Sequence, residues 1–357
     1  MPEDGVPVFG FERTGEKATG SKKGEIPAMK DQYGRQIDYM RISVTDRCNL
    51  RCIYCMPQTG VEPVSHGDIL TFDEIARVSG VAAGLGICRI RLTGGEPLVR
   101  KDLAELVEML REIPGIEEIA LTTNGVLLKE QLRGLLAAGI RAVNISLDTL
   151  DDRMYAALTR RDALPAALEG LHAAVACPEL KVKVNCVPMK GTNEEQWVPL
   201  AGLAKDQPVD VRFIEMMPVG LGRKYPAAVR EEVLERLREA YGLEKWDPGV
   251  QKELSGNGPA QYAHFEGFTG KIGFISALSH KFCSDCNRIR LTAEGFLKPC
   301  LQYAGGEDLR KLLRSGCTDE ELRRVMERAI YGKPACHHFE EREPAGAETA
   351  EMFRIGG

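Results

Sequence analysis

From about Tyr39 the chain alternates short apolar runs with longer amphipathic stretches. The runs MRISVT (Met40–Thr45), CRIRLT (Cys88–Thr93), EIALTT (Glu118–Thr123), AVNISLD (Ala142–Asp148), KVKVNCV (Lys181–Val187) and VRFIEMM (Val211–Met217) read as strands. Between them lie helical patterns. One starts at Thr71, where Glu74 three residues on completes a capping box. The others cover Asp102–Glu112, Lys129–Ala138, Pro165–Ala176 and Glu194–Lys205. Strands that alternate with helices imply βαβ units and a parallel sheet.

Six such units fall two short of an eightfold barrel. The expected fold class is therefore α/β, a partial (β/α)6 TIM-like barrel over residues 31–246. Within the strands polar and apolar positions alternate, and residues two apart share a face. Arg41, Ser43 and Thr45 form one such set; Arg89, Arg91 and Thr93, Asn144, Ser146 and Asp148, and Lys181, Lys183 and Asn185 form others. Ile42, Val44, Ile90, Leu92, Ile145, Leu147, Val182 and Val184 then face the helices, and the polar set lines a wet, positively charged lumen. An antiparallel sheet with one solvated face would give the same alternation.

A smaller C-terminal α+β region is expected over 247–345. PGVQKELSGNGPA reads as a linker. Strands follow at QYAHFEGF and KIGFIS, then the loop SHKFCSDCNRIRL, a hairpin at AEGFLKPC, and helices at Glu307–Ser315 and Asp319–Ile330. Residues 1–30 read as a disordered leader, and 346–357 as a mobile tail ending in Gly356-Gly357.

Composition narrows the class. The chain has 357 residues, 43% of them hydrophobic, enough for a sizeable core. No apolar run reaches the ~18 residues of a membrane span, and the N-terminus lacks the apolar core of a signal peptide. The expectation is a cytoplasmic protein. A net charge of −5 speaks against a general nucleic-acid binder. Eleven cysteines, an odd number and clustered, favour a reducing compartment and metal binding over disulfides.

Two clusters carry the chemistry. Cys48, Cys52 and Cys55 follow the first strand with three and then two residues between them. Three thiolates that close suit zinc or an iron–sulfur cluster. Four-coordinate zinc lacks a ligand here, and a cubane would keep one iron open. Cys283, Cys286 and Cys300 form a second trio. Zinc there would need His280, His337 or His338, and a second open cubane fits as well. Beside it Arg288 and Arg290 project to one side of a strand, and arginine forks suit phosphate oxygens. Thr93-Gly94-Gly95-Glu96-Pro97 ends the second strand. Its glycines allow close backbone approach, and Glu96 is a candidate for a ligand's ammonium group.

The Cys48–Cys55 spacing, with Tyr54 before the third cysteine, and the Gly94–Pro97 motif together resemble the radical S-adenosylmethionine (SAM) superfamily. RISVTDRCNLRCIYCMP, RLTGGEPLVRKDL, LTTNG, ISLD, KVNCVPMKG, RFIEMMPVG, GFISALSHKFCSDCNRIRLT, GFLKPCL and the terminal Gly-Gly are similar to the GTP 3′,8-cyclase family, which opens molybdenum cofactor biosynthesis. The likeness runs from about Asp31 to Gly357. It implies two [4Fe-4S] clusters, one on Cys48, Cys52 and Cys55 and an auxiliary one on Cys283, Cys286 and Cys300. It implies SAM contacts from Tyr54, Gly94, Gly95, Glu96, Ser146 and Met217. GTP contacts fall to Arg41, Arg91, Thr122, Lys183, Arg288, Ile289 and Arg290, with Arg288, Arg290, Gly356 and Gly357 assisting catalysis.

The implied reaction removes the C3′ hydrogen of GTP and closes a C3′–C8 bond. The product is (8S)-3′,8-cyclo-7,8-dihydroguanosine 5′-triphosphate. Implied partners are a flavodoxin- or ferredoxin-like reductant and the downstream cyclic pyranopterin monophosphate synthase, with the chain as monomer or homodimer. Two competing readings are a radical SAM peptide modifier, which would carry more C-terminal cysteines, and a zinc-stabilised nucleic-acid-binding module, which would need four-ligand sites and a basic exterior.

Overall fold

The structure is a computed structural model that describes residues 28–242, 258–263, 265–341 and 346–356. Most of the expected leader, the linker around 243–257, His264 and Gly357 lie outside the described residues. The barrel strands are β1 (Tyr39–Ser43), β2 (Arg89–Thr93), β3 (Glu118–Thr123), β4 (Ala142–Ser146), β5 (Lys181–Cys186) and β6 (Asp210–Ile214). Helices α1 (Phe72–Ala83), α2 (Leu103–Arg111), α3 (Leu128–Ala138), α4 (Asp152–Thr159), α5 (Leu164–Val175), α6 (Trp197–Asp206) and α7 (Arg230–Tyr241) connect or follow them. The capping box at α1 is present: Glu74 N donates to Thr71 Oγ1 (3.1 Å) and Thr71 N to Glu74 Oε2 (2.8 Å). Helices α4 and α7 were not anticipated. The first is capped by Asp151, whose carboxylate accepts from Met154 N at 2.7 Å.

The C-terminal part adds β7 (Gln261–Ala263), β8 (Ile272–Ile275), β9 (Arg288–Leu291), β10 (Phe296–Lys298), β11 (Glu307–Asp308), α8 (Leu309–Arg314) and α9 (Asp319–Tyr331). These strands do not form a sheet of their own. The order is β11-β10-β9-β1-β2-β3-β4-β5-β6-β8-β7. β9 pairs in parallel with β1, and β8 in parallel with β6. The C-terminal region thus supplies the two parallel strands that six units lack, one at each edge of a partial barrel. All pairings from β9 through β8 are parallel, which removes the antiparallel alternative for the barrel.

The alternation sorts as expected. Ile42, Val44, Ile90, Leu92, Ile145, Leu147, Val182 and Val184 are all buried among the helices. Burying such side chains is worth ~1.5–3 kcal/mol each, enough to fix which face each strand turns inward, because a one-residue slip would expose the whole set. Lys181 is the exception among the polar residues: it sits exposed at the amino end of β5, outside the lumen. Among the described residues no helix is long and apolar enough to cross a membrane.

The tail packs on the rest of the chain. Ala347 bridges to Tyr303, a short helical turn covers Met352–Arg354, and Phe353 and Ile355 are buried. At the other end Met29 N donates to Leu85 O at 3.0 Å and Lys30 bridges to Gln36, so these two residues join the fold rather than the leader.

Candidate active site

Strand register builds the site. Arg41 lies opposite Arg91 on one side and Arg290 on the other; Tyr39 lies opposite Arg89 and Arg288, and Ser43 opposite Thr93. Farther round, Thr122 faces Asn144, Asn144 faces Lys183, Ser146 faces Asn185, and Asn185 faces Arg212. Arg41, Arg91, Thr122, Ser146, Lys183, Arg288 and Arg290 therefore share the lumen side of the strands. Ile289 does not: as the odd residue of β9 its side chain is 1% exposed in the core, so only its backbone is available to a ligand.

The two cysteine loops lie at opposite ends of this row. Cys48 follows the carboxyl end of β1, whereas Cys286 precedes the amino end of the parallel β9. β10 runs antiparallel to β9 and returns Cys300 to the Cys286 end. The arginines stand between them, along roughly 13 Å of strand.

At the first loop, burial raises the thiol of Cys48 to about 11 and that of Cys55 to about 12. Burial, then Cys55 and Asp148, push Cys52 well above its ordinary value. Three thiolates cannot coexist there without a cationic partner, which is what a soft metal cluster provides. Leu50 N donates to Cys48 Sγ at 3.4 Å, the kind of amide contact that orients a thiolate.

The glycine pair seats this loop. Gly95 N donates to Thr45 O (2.8 Å) and Glu96 N to Arg47 O (2.8 Å). A Cβ on Gly95 would fall 2.5 Å from Arg47 O, and one on Gly94 2.7 Å from Thr45 O. The Glu96 carboxylate is 1% exposed and turned inward, accepting from Thr123 Oγ1 (2.7 Å), Asn124 N (2.7 Å) and Leu98 N (3.1 Å). Burial raises it to about 7. Glu96 thus fastens the turn to the end of β3. Tyr54 is likewise engaged: its hydroxyl donates to Asp148 Oδ2 (2.6 Å), and burial lifts Asp148 to about 6. Met217 O accepts from Val219 N (2.8 Å), and its side chain packs with Val219, Leu301 and Ile355.

At the second loop Arg35, which the sequence reading passed over, is the organiser. It is paired with Asp31 (2.6 Å) and donates to the carbonyls of Cys283 (2.8 Å), Pro334 (2.7 Å) and Ala335 (2.9 Å). Lys333 Nζ donates to Arg288 O (2.8 Å) and Pro299 O (2.5 Å). Burial works against ionisation of Cys286, but Lys333 and Arg288 outweigh it and lower the thiol. Of the histidines considered as a fourth ligand, His280 contacts Arg230 and Ser279, His337 stacks on Phe339, and His338 Nε2 lies 3.4 Å from Cys336 Sγ. Among the described residues no three Cys, His, Asp or Glu side chains converge on a single-ion site.

The lumen is short of anions. Burial, then Arg290, hold Arg41 well below the ordinary arginine value, and burial, then Arg288, bring Arg290 to about 10. Tyr39, also missed, accepts from Arg91 Nε; burial alone would raise its phenol, but Arg91, Arg41 and Arg288 together lower it. Arg288 stacks on Tyr39 (5.9 Å) and Phe282 (5.5 Å). Its Nε and Thr122 Oγ1 are buried without a hydrogen-bond partner, which leaves both aimed at whatever fills the lumen. Arg212, a third omission, sits 7% exposed with Nε and Nη2 on Asn185 Oδ1 (3.0 and 2.6 Å). Lys183 Nζ reaches Tyr262 Oη at 3.0 Å and Asp210 at 3.5 Å.

The tail enters the same space. Gly356 O accepts from Arg290 Nη1 at 2.8 Å, and at φ +76° a Cβ there would meet Thr93 Oγ1 at 3.1 Å and Ser43 Cβ at 3.3 Å.

Residues 42–204 match the radical SAM superfamily, and residues 209–339 match the Molybdenum Cofactor Synthesis C family. The chain is 46% identical over 331 residues to a GTP 3′,8-cyclase of Clostridium perfringens (strain 13 / Type A), covering 92% of this chain and 100% of that one. It is 47% identical over 335 residues to a GTP 3′,8-cyclase of Moorella thermoacetica, with the same coverage. Among solved structures, Streptococcus suis SuiB bound to S-adenosylmethionine shares the fold at 13% identity and a TM-score of 0.52, over 89% of this chain and 75% of that one.

Proposed function

Because the chain belongs to the GTP 3′,8-cyclase family of radical SAM enzymes, we propose that its lumen binds GTP and converts it to (8S)-3′,8-cyclo-7,8-dihydroguanosine 5′-triphosphate, the first step of molybdenum cofactor biosynthesis. The observation that carries the reading is a row of half-buried arginines strung between two cysteine trios. Both trios fit [4Fe-4S] clusters: the first by thiols that burial and mutual repulsion keep from ionising alone, the second by thiols set beside Lys333 and Arg288. When bound, SAM and the clusters supply one-electron chemistry, a carbon radical at the first loop and an electron at the second.

The chain's residues do the rest. Arg41, Arg91, Arg288, Arg290 and Lys183 supply the charge that a triphosphate requires, with no glycine-rich phosphate loop of the GxxxxGK[ST] kind. Thr122 and Arg288 hold buried polar atoms ready for the nucleoside. Gly95 and Glu96 set the turn against which SAM's methionyl end lies, and Ser146 and the Tyr54–Asp148 pair line its other side. Arg290, brought to about 10 by burial and Arg288, is the cation best placed to give up the one proton the product gains, from a guanidinium N–H. The buried walls exclude water. The chain acts in the cytoplasm with a flavodoxin- or ferredoxin-like reductant and passes its product to cyclic pyranopterin monophosphate synthase. The test is anaerobic incubation with GTP, SAM and a reductant. A new compound with the mass of GTP is expected, and its absence from protein loaded with both clusters would overturn the proposal.

A further inference from the structure

We propose that Lys298 and Glu348 form a buried latch that sets the register of the C-terminal tail and so positions Gly356 on Arg290; the inference rests on the function proposed above. Lys298 ends β10, lies opposite Arg290 of β9, and stands two residues before Cys300. Its side chain is 2% exposed and that of Glu348 9%, and the two form an ion pair. Lys298 Nζ donates also to Tyr303 O (2.6 Å).

Glu348 is tied on every side. Its second carboxylate oxygen accepts from Thr349 N (2.9 Å) and Ala350 N (2.8 Å), and its own amide donates to Gln302 O (2.5 Å). Ala304 N donates to Gly346 O (2.9 Å) just before it. Three residues on, Glu351 Oε2 accepts from Leu221 N (2.9 Å). The tail then runs past the first cysteine loop, where the Phe353 amide lowers Cys55 against the larger effects of burial and Cys48, to Gly356 on Arg290.

Holding a tail does not require buried charge. Desolvation consumes most of an ion pair's attraction, and apolar replacements of a buried pair are often neutral or stabilising. What the pair adds is position. A slip of one residue would put Ala347 or Thr349 against Lys298, leaving a buried ammonium unpaired, and would move Gly356 by about 3.3 Å. The slip that brings Ala347 to Lys298 would put Ile355 where Gly356, at positive φ, sits between Ser43, Thr93 and Arg290, and the opposite slip would use up Gly357 to fill that place. Lys298 and Glu348 are positioning residues: their side chains bond to each other and to the backbone of Tyr303, Thr349 and Ala350.

The test uses the full-length protein loaded with both clusters. In Glu348→Gln and Lys298→Met, trypsin cleavage after Arg354, read by mass, is expected to quicken at least about tenfold. Cyclised product per 5′-deoxyadenosine formed is expected to fall about tenfold, with iron content and SAM cleavage kept. Lys298→Arg should behave as wild type. The double variant Lys298→Met/Glu348→Leu removes both charges and guards against misfolding; it is expected to fold and still lose coupling. Wild-type protection and coupling in the double variant, or in both singles, would overturn the latch. If wild-type protein makes no cyclised product, the functional reading fails while the trypsin comparison still decides the latch.

Discussion

Arg41 and Arg290 face each other across β1 and β9, two half-buried arginines set side by side in one register pair. Their mutual repulsion adds to burial in pulling Arg41 well below the ordinary arginine value. Such an arrangement costs the empty protein stability and is repaid by a polyanion. Charge-assisted hydrogen bonds are worth ~1.5–3 kcal/mol each. Arg41→Ala is therefore expected to weaken GTP binding by about ten- to a hundredfold while the unfolding temperature stays level or rises. Calorimetric titration and thermal melts check both; a lower melting temperature with unchanged affinity would contradict it.

The Gly94–Gly95 turn leaves no room for a Cβ against the Thr45–Arg47 backbone. Gly95→Ala should push the first cysteine loop out of place and spare the second. Iron per chain is expected to drop from about eight to about four. Retention of all the iron together with SAM cleavage would show that the close approach is not needed.

Glu96 gives a pH dependence whose sign follows from burial. Its folded value, about 7, exceeds the ordinary 4.5. In that window the folded protein binds more protons than the unfolded chain, so this group's contribution to stability is full below about 4.5 and is lost as pH rises toward 7. Glu96→Gln should flatten the slope of denaturation midpoint against pH between 5 and 7. An unchanged slope would mean that the carboxyl ionises freely in the fold.

Gly356 sits at φ +76° between Ser43 and Thr93, where a side chain is strained by about 1–2 kcal/mol and crowded besides. Deleting Gly356 and Gly357 is expected to leave folding, both clusters and SAM cleavage intact but to abolish cyclisation, as read from product and 5′-deoxyadenosine in one assay. Full activity in that truncation would remove the tail from the chemistry.

Local pattern carried the barrel strands to within two or three residues and placed Arg41, Arg91, Ser146 and Lys183 on the inner face. The same alternation runs through β6, where Asp210, Arg212 and Ile214 share a face; Arg212 was legible but hidden in a run read for its apolar members. Tyr39 was missed because the strand begins one residue earlier than its apolar signal. The pairing of β9 with β1 joins residues some 250 apart in sequence, and no local signal specifies such a partner. Lys298 and Glu348 escaped for the same reason: each looks like an ordinary surface charge until the fold brings them together. The Gly94–Pro97 motif was legible, but not the direction of the Glu96 carboxylate, which the backbone amides of Leu98 and Asn124 set.

The central claim is that GTP lies in this lumen with its ribose beside the first loop. The most direct measurement supplies GTP carrying deuterium at C3′ and follows the label by mass. One deuterium is expected in 5′-deoxyadenosine, with a cyclised product that has lost it. Unlabelled 5′-deoxyadenosine beside a product that keeps its deuterium would contradict the placement.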